Sequence, residues 1–197
     1  MRSLGLVWAL LLTAAVQAQD AWRDSLEAYW ERINAAYRDT AHSPLKPEDR
    51  AVFTALERFP IDPAYRVQAR FKPAKSPVPF TMRTTTQRQP VYVAYGTLEF
   101  KLNGRKCRLT VYRDAVPRPG LETHLFLPFT DATNGEETYG GGRYMDLAAP
   151  LGATVELDFN RAYNPYCAYG GRYSCPIPPK ENHLPVAVRA GVLKFHD

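Results

Sequence analysis

Trp22, Leu26, Tyr29, Trp30, Ile33 and Tyr37 recur at spacings of three and four, which puts them on one stripe of a helix. That helix is predicted over residues 20–38, with Asp20 as its cap. Ser43-Pro44-Leu45-Lys46-Pro47 breaks the pattern. A second helix is expected to follow. It has Pro47 in the first turn, Glu48 and Asp49 at its positive end, and Val52, Phe53, Leu56 and Phe59 as its stripe up to Pro60. Both helices are expected to pack on a sheet.

Beyond residue 65 the period changes from helical to alternating. Asn103-Gly104 separates two alternating runs within residues 91–113, the strongest short-range hairpin signal. A two-residue turn sets the register: Leu102 opposite Arg105, Phe100 opposite Cys107, Leu98 opposite Leu109. On the other face Glu99 meets Arg108 and Thr97 meets Thr110, both favourable cross-strand pairs. The inward phase is odd at Val91 and Val93 but even from Leu98, so a bulge is predicted near Gly96. Further strands are predicted at 65–71, 80–85, 123–129, 139–147, 154–159 and 184–195. No long helical patterns alternate with them, which argues against a parallel sheet. The predicted class is mainly β (α+β): an antiparallel barrel or strongly curled sheet of about seven or eight strands behind two N-terminal helices.

Composition keeps this within ordinary globular chemistry. The chain has 197 residues, 45% hydrophobic and 23% charged, which excludes a disordered chain. Its start has a separate logic. Arg2 precedes an apolar run from Leu4 to Val16, and Val16-Gln17-Ala18 has small residues where a signal peptidase reads. Residues 1–18 are therefore predicted to be a leader cleaved before Gln19, residues 19–42 an N-terminal helix, and residues 43–197 a single β-rich domain. The run is too short to span a bilayer, and nothing after residue 20 is long and apolar enough to do so. The expected product is a soluble secreted or periplasmic protein.

Charge is uneven. Arg66, Arg70, Lys72, Lys75, Arg83 and Arg88 form a basic strip without an acid, whereas residues 122–158 hold seven acids and one Arg or Lys, Arg143. The strip suits phosphates, acidic glycans or an envelope surface, or else pairs with the acidic half. No nucleic-acid-binding motif is present.

Residues 126–191 have a different texture. Phe126-Leu127-Pro128-Phe129-Thr130-Asp131-Ala132-Thr133-Asn134-Gly135 leads to Thr138-Tyr139-Gly140-Gly141-Gly142-Arg143-Tyr144. Leu157-Asp158-Phe159-Asn160-Arg161-Ala162-Tyr163-Asn164-Pro165-Tyr166-Cys167 and Ser174-Cys175-Pro176 follow. In these strings the chain resembles the uncharacterised domain-of-unknown-function family 1684, found in many bacteria, over residues 43–191. The family's usual alanine-glycine-glutamate-lysine ending reads Ala190-Gly191-Val192-Leu193 here, so that acid is absent. The resemblance implies no activity, so the residues must carry the argument.

Gly140-Gly141-Gly142 suits either an anion nest or a tight crossing, and lacks the Lys-Ser/Thr ending of a phosphate loop. In 154–160, Glu156, Asp158 and Asn160 share a face opposite Val155, Leu157 and Phe159. Arg143 and Arg161 are suited to bidentate binding of a carboxylate or phosphate, and equally to tying the structure through internal acids. Cys167 and Cys175 are predicted to form a disulfide in an oxidising compartment, with Cys107 a small buried apolar residue. His124 and His183 stand isolated, so no metal site is expected, and no cofactor motif is found.

The leading expectation is an exported protein binding a small polar or anionic ligand in a pocket at the barrel end. Arg143, Asp158, Asn160, Arg161 and Asn164 would hold the ligand, and Tyr139, Tyr163 and Tyr166 would form apolar walls. One alternative is a metal-independent hydrolase or lyase with Glu137 or Asp158 as acid or base. Another is a cell-envelope interaction protein that uses the basic strip.

Overall fold

The computed structural model of the chain describes residues 3–196, with side chains from residue 17 onward. The first two residues of the predicted leader, and the side chains of its next fourteen, lie outside the described residues. α1 (Ser3–Arg38) runs through Asp20, which therefore does not cap it. The predicted stripe forms one face: Trp22, Leu26, Trp30 and Tyr37 are buried, with Tyr29 and Ile33 half-buried. Among the described residues, no helix is long and apolar enough to cross a membrane.

α2 (Pro47–Val52) is much shorter than expected, and Val52 is exposed. Residues 53–60 run extended because their backbone groups find partners elsewhere. The Leu56 amide donates to Asn34 Oδ1 at 3.0 Å, Phe59 N donates to Gly191 O at 2.9 Å, and Glu57 O accepts from Leu193 N at 2.9 Å. Helical propensity here yields to pairing with the C-terminal segment.

Seven strands follow: β1 (Arg66–Pro73), β2 (Phe80–Thr81), β3 (Val91–Leu102), β4 (Arg105–Asp114), β5 (His124–Phe129), β6 (Arg143–Ala148) and β7 (Thr154–Asp158). All pairings are antiparallel, in the order β6-β5-β4-β3-β1-β7, with β2 also on β3. The sheet curls into a half-barrel. The chain just after β7 meets β6 in a single bridge, Tyr144 N donating to Tyr163 O at 2.9 Å and Tyr163 N to Tyr144 O at 3.0 Å.

The hairpin has the predicted register in every pair, and its register shifts between Ala94 and Gly96. Asn103 and Gly104 both take positive φ, as a tight primed turn requires. A Cβ on Gly96 would lie 2.5 Å from Lys72 O, so the bulge lets β1 approach closely.

The sheet separates two apolar layers. Leu98, Leu109, Leu127, Met145 and Leu157 lie in the main core on the concave side. Tyr92, Tyr112, Phe126 and Tyr144 cluster with Met82 on the opposite face. The expected strand at 184–195 is instead an irregular strap. Leu184, Val186, Val188, Ala190 and Val192 are buried at alternate positions, yet no continuous ladder forms. Pro185 cannot donate to one, and much of the strap's backbone pairs with side chains.

Candidate functional site

The polar residues of 131–164 sort into three networks. The first is closed. Arg143, at the start of β6, is fully buried and pairs with Asp131 at 2.8 Å. Its guanidinium donates to Ala190 O at 2.5 Å and Val188 O at 2.7 Å, and lies 5.4 Å from the centroid of the Phe129 ring. Asp131 Oδ1 accepts from Thr133 N, Thr133 Oγ1 and Val188 N. This knot supplies the partners a neighbouring strand would give the strap. Burial pulls the Arg143 pKa down and Asp131 opposes it. Gly142 allows the tight entry to the knot, with φ +89° and a hypothetical Cβ 2.6 Å from Phe129 O. Of the three glycines, Gly142 is the one at the tight crossing.

The second network seats α1. Asp158 caps the turn that follows β7 by accepting from Asn160 N, and also accepts from Trp22 Nε1 at 2.8 Å. Asn160 holds Asp62 by both its backbone groups, at 2.9 Å each, and its carbonyl accepts from Trp30 Nε1. The Arg161 carbonyl accepts from Tyr29 Oη, while its guanidinium stacks 5.2 Å from the Tyr29 ring centroid and donates to Ser25 Oγ. The cluster that looked richest in directed hydrogen bonds is the docking seat of the N-terminal helix. Asn164, also fully buried, donates to Leu193 O. The candidate acid Glu137 pairs with Arg189, beside a separate cleft of about 820 Å³ between residues 53–60 and the strap.

The third network is open. A cleft of about 890 Å³ lies on the outer face of the sheet, between the second half of α1 and the loop 163–176. Eight aromatic side chains stand in its walls: Tyr29, Tyr37, Tyr92, Phe126, Tyr144, Tyr163, Tyr166 and Tyr173. Of the expected ligand-binding residues, only Tyr163 and Tyr166 line it. Arg143, Asp158, Asn160, Arg161, Asn164, Tyr139 and Glu137 do not. The cleft lies on the outer face of the sheet, whereas the sequence predicts a pocket at the barrel end.

β6 explains the division. Arg143 and Met145 point to the concave side, so Tyr144 and Asp146 point to the cleft. Phe126 pairs with Asp146, which makes His124 its diagonal neighbour on the same face. His124 Nε2 is 2.8 Å from Asp146 Oδ1, and Tyr163 Oη donates to Asp146 Oδ2 at 2.7 Å. The hydrogen bond to Asp146 raises the His124 pKa above its ordinary value. Burial, then the Asp146 charge, pushes the Tyr163 pKa well above 10, so its hydroxyl stays a donor. Arg88, bonded to Ser174, and the Arg118–Asp114 pair add charge at the cleft.

From sequence alone, His124 reads as an isolated imidazole and Asp146 is given no role. The alternation through 143–147 is the signal that places Asp146 opposite Arg143, and the pairing of β5 with β6 supplies the rest.

Cys167 and Cys175 are not joined: all three cysteines are free thiols. The expected disulfide is therefore absent from the structure, although Cys167 N donates to Cys175 Sγ at 3.1 Å. Two residues of the basic strip pair across the sheet, Arg66 with Glu156 and Lys72 with Glu99. Among the described residues, no three His, Cys, Asp or Glu side chains converge in a way that would hold a metal ion.

Comparison with known proteins gives relatives but no activity. No curated protein matches the chain. The solution NMR structure of an uncharacterised protein from Haloarcula marismortui is similar, with 36% sequence identity and a TM-score of 0.72. The match covers 90% of this chain and 96% of that one. A family model described as "Protein of unknown function (DUF1684)" matches residues 51–193, which include β1–β7 and every cleft residue outside α1. The chain belongs to that family.

Proposed function

We propose that this chain is an exported binding protein for a small molecule with an apolar body and a polar or anionic end, held in the outer-face cleft. The observation that carries the reading is the convergence of tyrosine walls on one hydrogen-bonded trio, His124–Asp146–Tyr163. Ligand pockets are typically about 300–1,000 Å³, mostly apolar, with a few fixed polar groups, and this cleft matches on each count. Asp146 holds His124 and Tyr163 by its two oxygens, so their orientation exists before a ligand arrives. Arg88, bonded to neutral Ser174, and His124, whose pKa Asp146 raises, suit an anionic end better than a cationic one. Exposed Val91, Val116 and Leu121 at the cleft extend its apolar surface.

Export rests on the leader-like residues 1–18. Residues 17–21 are exposed, and the buried stripe of α1 starts at Trp22, beyond the expected cleavage point before Gln19. Intact mass of secreted protein starting at Gln19 is the expected result, and retention of residues 1–18 overturns this part.

A crystal soak with a mixture of small aromatic and aliphatic carboxylates, alcohols and amines tests the cleft. The expected result is bound density beside Tyr144, Tyr163 and Asp146, with carboxylates preferred over amines. Density confined to other surfaces overturns the assignment.

A further inference from the structure

The loop that walls the cleft also brings two thiols together, with a different chemistry. Cys167 is half-buried in a short turn, and Cys175 sits behind it, lining the cleft. The Cys167 amide donates to Cys175 Sγ at 3.1 Å. Tyr139 Oη lies 3.6 Å from Cys167 Sγ, and Cys175 N donates to Thr85 Oγ1 at 3.1 Å, which pins the second cysteine. Cys107 contrasts with both, buried in the main core on the far side of the sheet.

We propose that Cys167 and Cys175 form a dithiol site that exchanges with a small disulfide, with Cys167 as the attacking sulfur and Cys175 as the resolving one. The roles follow from the surroundings. Cys167 is the more exposed residue of the pair, and its thiolate is met by the Cys175 thiol and the Tyr139 hydroxyl, donors that stabilise negative charge. These hydrogen bonds, the one from Cys175 first, bring its pKa down to about 6. The same coupling, then burial, raises that of Cys175, which keeps its proton until the first step is complete. A thiolate with a pKa near or below ambient pH is the reactive form in such exchange.

In the first step the Cys167 thiolate attacks one sulfur of R–S–S–R. The protein–S–S–R bond forms, the substrate S–S bond breaks, and R–S⁻ leaves. Cys175 then gives up its proton and attacks Cys167 Sγ, expelling the second R–S⁻. The displaced proton ends on one of the two R–S⁻ products. The substrate is reduced by two electrons and the dithiol oxidised to a disulfide, and excess R–SH reverses both steps.

The full chain, reduced and freed of reductant, is treated with glutathione disulfide and analysed by mass spectrometry with peptide mapping. The wild type is expected to lose two hydrogens at the 167/175 pair and to keep no adduct. Cys175→Ser is expected to stop at one glutathione on Cys167, and Cys167→Ser to accumulate none. The wild-type rate is expected to rise through about pH 6 and then level off. At about pH 6.5, thiolate fraction and lower nucleophilicity together make Cys167 about fivefold faster than Cys107 in the unfolded chain. A folded Cys175→Ser chain without adduct overturns the proposal. So does a wild-type rate still climbing through about pH 8.5, as for an ordinary thiol, or a native 167–175 disulfide that excess reduced glutathione cannot open. The wild-type profile decides the matter even if a variant fails to fold. The probe also does not depend on the cleft ligand, so this test and the binding reading fail separately.

Discussion

Arg143 and Asp146 stand three residues apart on β6 and serve opposite ends. Arg143 faces the core, where nothing of it is exposed. Three of its acceptors are Asp131 and two carbonyls of the strap. Asp146 faces the cleft, where its partners are two side chains, His124 and Tyr163, and its own side chain is 44% exposed. One network ends on backbone and excludes water. The other ends at a surface with room beside it. A dense set of polar residues in a sequence therefore marks a structural knot as readily as a site. What separates the two is the identity of the partners, which pairing in space decides.

The largest effect should come from opening the closed network. Arg143→Met leaves Asp131 buried and unpaired and two strap carbonyls without donors, so stability should fall by about 3–5 kcal/mol in denaturant unfolding. A loss under about 1 kcal/mol would show that the knot is not what holds the strap. Next, Asn160→Ala frees both backbone groups of Asp62 and should cost about 1–3 kcal/mol. Asn160 Nδ2 also donates to Asp158 Oδ1, whose other oxygen accepts from Trp22 Nε1, so protease protection of residues 22–37 should weaken in parallel, and intact protection would detach the Asn160 side chain from the seating of α1. Asp146→Asn lies on the open network and should cost less than about 1 kcal/mol, as exposed pairs usually do. Its effect belongs on binding at the cleft. A melt as damaged as that of Arg143→Met would make Asp146 a second knot and erase the contrast.

Arg161→Lys is smaller still. The guanidinium is 40% exposed and outside the cleft, so losing its stacking on Tyr29 should cost about 0.5–1 kcal/mol and leave cleft binding unchanged. Weakened binding with an intact fold would return Arg161 to the site. The smallest effect is a pH dependence. The folded pKa of His124 is raised above the usual 6.5 by Asp146. Its stabilising contribution is therefore full below that value and is lost as pH rises through the folded one. The stability difference between wild type and His124→Gln should be larger near pH 6 than near pH 9. A difference that grows with rising pH contradicts the charged pair.

Much of the fold was legible because its signals are local. Asn103-Gly104 dictates the β3–β4 register residue by residue, and the change of phase before Leu98 locates the bulge. The α1 stripe reads directly from its spacing. Residues 53–60 and 184–195 were misassigned because each finds its partners far away in sequence, Leu56 at Asn34 and Val188 at Asp131. The candidate site was legible only at Tyr163 and Tyr166. The bonds that define it join His124 to Asp146 and Asp146 to Tyr163, across the β5–β6 pairing and the bridge that closes the half-barrel. Isolated on the page, His124 had no partner until that pairing supplied one. Asp158, Asn160 and Arg161 misled for the complementary reason: their density reflects the docking of a helix more than 120 residues away in sequence.

The central claim is that small molecules are held at the open network. Native mass spectrometry of the wild type, Asp146→Asn and Tyr163→Phe proteins, purified side by side from the organism that makes them, tests it most directly. The account predicts a small-molecule adduct on the wild type that both variants lose while their melts stay close to the wild-type value. An adduct retained equally by all three, or a wild type that carries none, would contradict it.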